Sequence, residues 1–174
     1  MLSSYSDTKK GSNQYKWLLE ELKNTNREET PWLVIMMHNQ LYTTFKAHNG
    51  EEETNVMRES MEHLFKEYKV NLIFSGHDHA YMRSKPMHRM KVDESGESPI
   101  YLIVGEGGNR EEHVKGYLSE DPEEWVAVRD RTVYGFGTLE FANETHANWK
   151  WIMDENDSGA KFEDDVWFEH QYKI

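Results

Sequence analysis

Two histidines one residue apart, His77 and His79, follow Gly76 at the end of a short apolar run, residues 70–74. In extended backbone, side chains two positions apart project to the same side, and neutral imidazole is the commonest protein ligand for metals. Gly76 permits backbone angles, or a close approach to a ligand, that a residue with a Cβ resists. A third histidine, His38, ends a longer apolar run, residues 32–37, and a fourth, His48, lies in the polar loop 39–53 behind it. Three imidazoles at strand ends can hold a divalent ion, or part of a dinuclear centre, and acidic residues in the loops suit a mixed nitrogen and oxygen ligand set. Such an ion polarises a phosphoryl oxygen and lowers the pKa of a bound water to about 7. His48 is placed to touch a substrate or to act as an acid. The remaining histidines, His63, His88, His113, His146 and His170, lack comparable contexts and read as surface or packing residues.

The elements that must position these groups follow from periodicity. Both apolar runs read as buried parallel strands, the first, after Pro31, as a doubly buried central one. Between them, residues 51–68 set Val56, Met57, Met61, Leu64, Phe65 and Tyr68 near one face of a helix. Strand, loop, helix and strand make a βαβ unit with a right-handed crossover, which brings His38 and the His77/His79 pair to one sheet edge. Upstream, residues 14–24 read as an amphipathic helix with Trp17, Leu18 and Leu22 on one side, preceded by a polar segment, 1–13. Downstream, strand 100–104 ends in Gly105-Glu-Gly-Gly-Asn109, which lacks the spacing of a phosphate loop and reads as a glycine turn beside the site. Residues 110–132 read as an irregular surface excursion. Three further strands at 134–141, 145–153 and 166–168, with a hairpin loop through 154–159, suggest a second, more antiparallel sheet packed on the first. The acidic runs 51–53 and 163–165 read as solvated faces.

A formal charge of −12 argues against a nucleic-acid partner. No stretch approaches the roughly 20 apolar residues of a membrane span. Cysteine is absent, so His, Asp, Glu, Asn and Tyr must supply any ligands. The first residues lack the apolar core of a signal peptide, and two glycosylation sequons begin at Asn143 and Asn156, which leaves the compartment open.

Four segments, Gln14-Tyr-Lys-Trp-Leu-Leu-Glu-Glu-Leu22, Thr30-Pro-Trp-Leu-Val-Ile-Met-Met-His-Asn-Gln-Leu-Tyr42, Gly76-His-Asp-His-Ala-Tyr81 and Pro99-Ile-Tyr-Leu-Ile-Val-Gly-Glu-Gly-Gly-Asn109, together resemble the purple acid phosphatases. These are metallophosphoesterases of the calcineurin-like superfamily, and the likeness is collinear from about residue 11 to the end. It implies an α/β (α+β) sandwich of two mixed β-sheets flanked by helices, of which residues 14–174 would be the C-terminal part, 14–83 bearing the histidines and 99–174 mostly β. It implies a dinuclear centre of iron(III) and a divalent zinc, manganese or iron ion, with a phosphate monoester attacked by a metal-bound hydroxide. Carried over, His38 and His77 would ligate the divalent ion, His79 the ferric ion, and His48 would contact the substrate phosphate and protonate the leaving group. The resemblance also implies secretion. Its other ligands, two aspartates, a tyrosine and an asparagine, lie upstream of the matching stretch, so the residues in hand are expected to hold one divalent ion. Gln40, Met82 and Glu106 stand where the family usually has proline, an acidic residue and aspartate. Acid phosphatase-like hydrolysis is the leading expectation. The alternatives are a non-catalytic binding or assembly module completed by another chain or an upstream segment, and a mononuclear three-histidine zinc hydrolase.

Overall fold

The computed structural model describes residues 1–108, 110–154 and 163–169. Helix α1, Asn13–Asn24, starts at Ser12, whose hydroxyl accepts the Tyr15 N–H at 3.2 Å and so satisfies one orphan donor of the first turn. Its buried stripe is Tyr15, Leu18 and Leu22. Trp17, expected on that stripe, lies about 100° round the helix from Leu18 and is half exposed. Helix α2, Glu52–Glu67, opens on Glu52 and Glu53, which complement the positive end of its dipole. It buries Met57, Met61, Leu64 and Phe65. It closes on Lys69 at φ 53°, with the Lys69 N–H donating to the Lys66 carbonyl and the Val70 N–H to the Phe65 carbonyl. That is the Schellman pattern, which turns the chain sharply into the next strand.

Strands β1 (Val34–Met36), β2 (Leu72–Ser75) and β6 (Ile100–Val104) are parallel, and β3 (Tyr81–Ser84) and β7 (Val126–Asp130) complete a mixed sheet in the order β1-β2-β6-β3-β7. A short hairpin, β4 (Met87–His88) and β5 (Lys91–Val92), turns through Arg89 and Met90, both at positive φ as a two-residue hairpin loop requires. Strands β8 (Gly135–Phe141), β9 (His146–Met153) and β10 (Asp164–Glu169) form an antiparallel sheet in the order β10-β9-β8. Alternation along the central strands sorts the two faces. Ile73, Tyr101, Ile103 and Met82 join the helices in one core, while Leu72, Leu102 and Tyr81 meet Trp149, Trp151 and Phe168 of the second sheet in the other.

The α/β sandwich and the βαβ unit are as expected, and the second sheet is antiparallel. Two expectations about strands fail. The run 32–37 yields only β1, which is the edge of its sheet among the described residues, with Met36 51% exposed. A continuous apolar run fits a central strand but requires neither two covered faces nor two paired edges, and in β1 Ile35 is buried while Met36 is exposed. The stretch 110–132 contains β7, whose Arg129 and Asp130 hid it, because an edge strand takes charge without penalty. The opening residues form no helix or strand, yet Leu2, Ser4 and Thr8 are buried, and the Leu2 N–H donates to the Met36 carbonyl at 2.8 Å. Among the described residues no helix is long and apolar enough to cross a membrane.

Candidate metal centre

The chain passes from β2 to β3 over the end of β6, and residues 76–80 make that passage in two consecutive tight turns. The Asp78 N–H donates to the Gly76 carbonyl at 2.8 Å and the Ala80 N–H to the Asp78 carbonyl at 2.9 Å. The residue inside the first turn is His77, at φ 67°, the strained γ-turn that a residue with a Cβ seldom adopts. Gly105, at the end of β6, lies directly beneath, and a Cβ there would come within 1.9 Å of the Asp78 carbonyl oxygen. The glycine turn expected beside the site is thus required at Gly105 by close approach. Asn109 lies outside the described residues.

The turns aim His77 and His79 outward and Asp78 inward. Asp78 is fully buried, and its Oδ2 accepts Gln40 Nε2 at 2.9 Å and the Thr43 hydroxyl at 2.5 Å. This ties the loop after β1 to the loop after β2. Burial raises the Asp78 carboxyl, only partly opposed by the Thr43 bond and the nearby histidines. From β1 comes His38, whose carbonyl accepts the Gly76 N–H at 2.9 Å. The His38 and His77 rings lie 4.8 Å apart between centroids, and the His48 and His77 rings 3.7 Å. Burial lowers the His38 pKa, and the neighbouring His77, His48 and His79 lower it further, which favours the neutral, ligating form. His79 leans outward, its Nδ1 3.0 Å from the Glu112 carbonyl oxygen, and shares a cavity of about 350 Å³ with His48, Lys46 and Lys115.

One member of the cluster was not expected. Glu51, read as part of a solvated acidic run, reaches His48 Nδ1 with Oε1 at 2.8 Å and His77 Nε2 with Oε2 at 2.9 Å. Its burial would raise its pKa, but the bonds from His48 and His77 outweigh that and hold it ionised. Among the described residues, His48, Glu51 and His77 form the one group of three whose ligand atoms lie mutually within 4.8 Å. The i, i+3 spacing from His48 to Glu51 was the available signal, since Glu51 is the residue from which α2 starts. The second acidic run also breaks the expectation, because Asp164 is buried in an ion pair with Arg83 at 2.7 Å.

Outside the cluster, His63 contacts the Tyr15 hydroxyl at 3.4 Å, His88 lies 3.4 Å from Glu62, and His113 stacks on Tyr134. His146 bonds Thr145 at 2.8 Å. Asn143 sits in the exposed β8–β9 turn, where its Oδ1 accepts the Thr145 and His146 N–H groups. Asn156, His170 and the 154–159 hairpin loop, apart from Asp154, lie outside the described residues.

A parallel strand pair that delivers clustered imidazoles to one edge is the frame of a metallophosphoesterase. Residues 2–81 match the family model described as calcineurin-like phosphoesterase, and residues 98–164 match the iron/zinc purple acid phosphatase-like protein C model. Probable purple acid phosphatase 20 of Arabidopsis thaliana is 40% identical over 167 residues, covering 96% of this chain and 38% of that protein. The Fe(3+)-Zn(2+) purple acid phosphatase 12 of the same plant is 36% identical over 183 residues, covering 99% of this chain and 38% of that protein. The structure of purple acid phosphatase PPD1 from yellow lupin (Lupinus luteus) seeds superposes with a TM-score of 0.83 at 22% identity, over 98% of this chain and 30% of that one. The chain belongs to the purple acid phosphatase family, and it spans 38% of the length of these two curated relatives.

Proposed function

We propose that this chain supplies the histidine-bearing wall of a purple acid phosphatase-type site that hydrolyses phosphate monoesters. The observation that carries it is the convergence of His38, His48 and His77, from two strand ends and the loop between them, within ring contact. His38 and His77 hold the divalent ion, zinc, manganese or iron(II), and His79 faces the ferric position. The donor set fits one ion: burial and the neighbouring rings favour the neutral form of His38, and Glu51 holds the His77 ring in orientation. When bound, such an ion polarises a phosphoryl oxygen and acidifies water. His48 lies beside the cavity and donates a proton to the leaving oxygen. Metal content by mass spectrometry, with p-nitrophenyl phosphate hydrolysis at mildly acidic pH in the same sample, tests this. Metal and turnover, both lost in His77→Ala, are expected; turnover that survives His77→Ala overturns the reading. Secretion would make Asn143, on an exposed turn, a glycan acceptor, which intact mass before and after glycosidase treatment would show.

A second reading rests on the other side of β1. A cavity of about 550 Å³ opens between the two sheets, lined by Val34, Met36, Phe74, Leu139 and Phe141. Met36 and Phe141 are each about half exposed, and among the described residues no strand pairs with the outer edge of β1, where the Leu2 N–H reaches the Met36 carbonyl. That combination suits an apolar strand from a complementing chain or an upstream segment. Binding of a hydrophobic dye, abolished in Phe141→Ser, is expected. A monomer that binds no dye would remove this reading.

A further inference from the structure

The geometry points to Glu51 as a positioning residue that sets the ring-nitrogen roles of His77 and His48 together, one for the metal and one for the substrate. The inference rests on the proposed reading in supposing that His77 faces an ion and His48 the substrate.

Glu51 is held before it acts. It is the residue from which α2 starts, its carbonyl accepts the Asn55 N–H at 3.1 Å, and Asn39 Nδ2 donates to its Oε2 at 3.3 Å. Asn39 follows His38 directly, so this carboxylate stands where the loop after β1, the loop after β2 and the start of α2 meet. An ionised carboxylate only accepts hydrogen bonds. Each imidazole nitrogen that touches it must therefore carry the proton: His77 at Nε2 and His48 at Nδ1. A neutral imidazole has one ring proton. Hence His77 is left with a bare Nδ1 and His48 with a bare Nε2, each on the opposite side of its ring from Glu51.

The consequence differs for the two rings. Metal-ligating histidines almost always donate their second nitrogen to a carboxylate or carbonyl, which fixes orientation and raises ligand basicity. Glu51 does this for His77 and leaves Nδ1 to the ion. The same carboxylate leaves His48 Nε2 as the nitrogen for the substrate, an acceptor in the neutral ring and a proton donor only once the ring has taken up a second proton. Both separations, 2.8 and 2.9 Å, are hydrogen-bond lengths, so Glu51 stands to these rings as an acceptor. Direct ligation of an ion by Glu51 would break at least one of these bonds.

Two measurements on the whole chain test this. The first needs no metal. Long-range nitrogen–proton NMR on the metal-free chain, about two pH units above the ordinary histidine value, reads each tautomer. His77 as the Nε2–H form and His48 as the Nδ1–H form are expected, with both becoming mixtures in Glu51→Gln. Either ring in the opposite form overturns the proposal. The second is zinc affinity by competition with a chromophoric chelator. Glu51→Gln should weaken zinc roughly 10- to 100-fold, and His48→Ala should leave it within about twofold. A His48→Ala loss as large as that of Glu51→Gln would make the trio a direct ligand set and overturn the proposal. A wild-type chain that binds no zinc but shows both expected tautomers would remove the metal reading and leave the assignment of Glu51 standing.

Discussion

The edge that carries the histidines and the seam between the two sheets are neighbours built by opposite rules. In the seam, Asp164 accepts Tyr81 Oη at 2.5 Å and Arg83 Nε at 2.7 Å on one oxygen, and Arg83 Nη2 at 2.9 Å on the other. Tyr81 Oη in turn accepts Trp149 Nε1 at 2.8 Å. Every carboxylate oxygen has a partner, which is the condition under which buried charge is tolerated. At the histidine edge, one buried oxygen each of Asn39, Gln40 and Asp78 has no hydrogen-bond partner among the described residues, and His77 sits in a disfavoured turn. A strained, partly unsatisfied site persists only where its surroundings over-determine it. The link is short: Tyr81, fully buried in the seam, is two residues from His79. The seam clamps the far end of the turn that aims the histidines.

The largest effect should therefore come from the seam. Asp164→Ala strands Arg83 and removes the acceptor of Tyr81, and should cost about 3–5 kcal/mol in denaturant unfolding. Zinc affinity should fall with it, because the 76–80 turn loses its anchor. If stability falls while zinc affinity does not, seam and edge are independent, contrary to the comparison. Next is Gly105→Ala, whose Cβ would press on the Asp78 carbonyl. Overpacking of this kind costs about 1–3 kcal/mol. Here the larger consequence should be at the edge, a loss of zinc affinity greater than the loss of stability. The reverse ranking would place Gly105 with the seam.

The two regions also differed in how plainly the sequence announced them. Apolar runs of strand length ending in histidine, with a helical period between, were enough to bring His38 beside His77 and to leave His48 in the loop. What stayed hidden depended on partners distant in the chain. Glu51 looks like its neighbours Glu52 and Glu53, and only the arrival of His77, 26 residues on, separates it from them. Asp164 sits in an acidic run and is buried because Arg83, 81 residues back, meets it. Strand β7 was missed because Arg129 and Asp130 interrupt its apolar pattern, which its pairing with β3 makes tolerable. In each case the deciding term is a pairing between chain segments, and local periodicity does not encode pairing.

A smaller effect separates the two regions from a third, the exposed side of α2. Burial would raise the Asp93 carboxyl, but hydrogen bonds from Lys66, Ser95 and Ser98 outweigh it and hold it well below the usual carboxylate range. Because the folded value is depressed, this contribution is fully present above the unfolded value of about 3.9. It is lost as pH falls through the folded value. Lys66 is more than a third exposed, so solvent screening limits the gain to about 1 kcal/mol or less. Asp93→Asn should be less stable than wild type near neutrality, and the gap should close in strong acid. A gap that does not change between the two conditions would show that the ion pair contributes nothing.

The smallest predicted change returns to strand β2, which is bounded by two left-handed residues that are not glycine, Lys69 before it and His77 after it. A left-handed residue with a Cβ costs about 1–2 kcal/mol. Replacing it with glycine recovers that cost but gives back about 0.5–1 kcal/mol through the freer unfolded chain. The Schellman bonds at Lys69 use backbone atoms and survive the change, as does the Arg27 bond to the Lys69 carbonyl. Lys69→Gly should thus raise stability by about 0.5 kcal/mol and leave zinc affinity as it was. His77→Gly relieves the same backbone strain, yet it should abolish zinc binding. If Lys69→Gly instead lowered stability, the left-handed turn into β2 would be held by the lysine side chain, and the strain on the two sides of that strand would not be comparable.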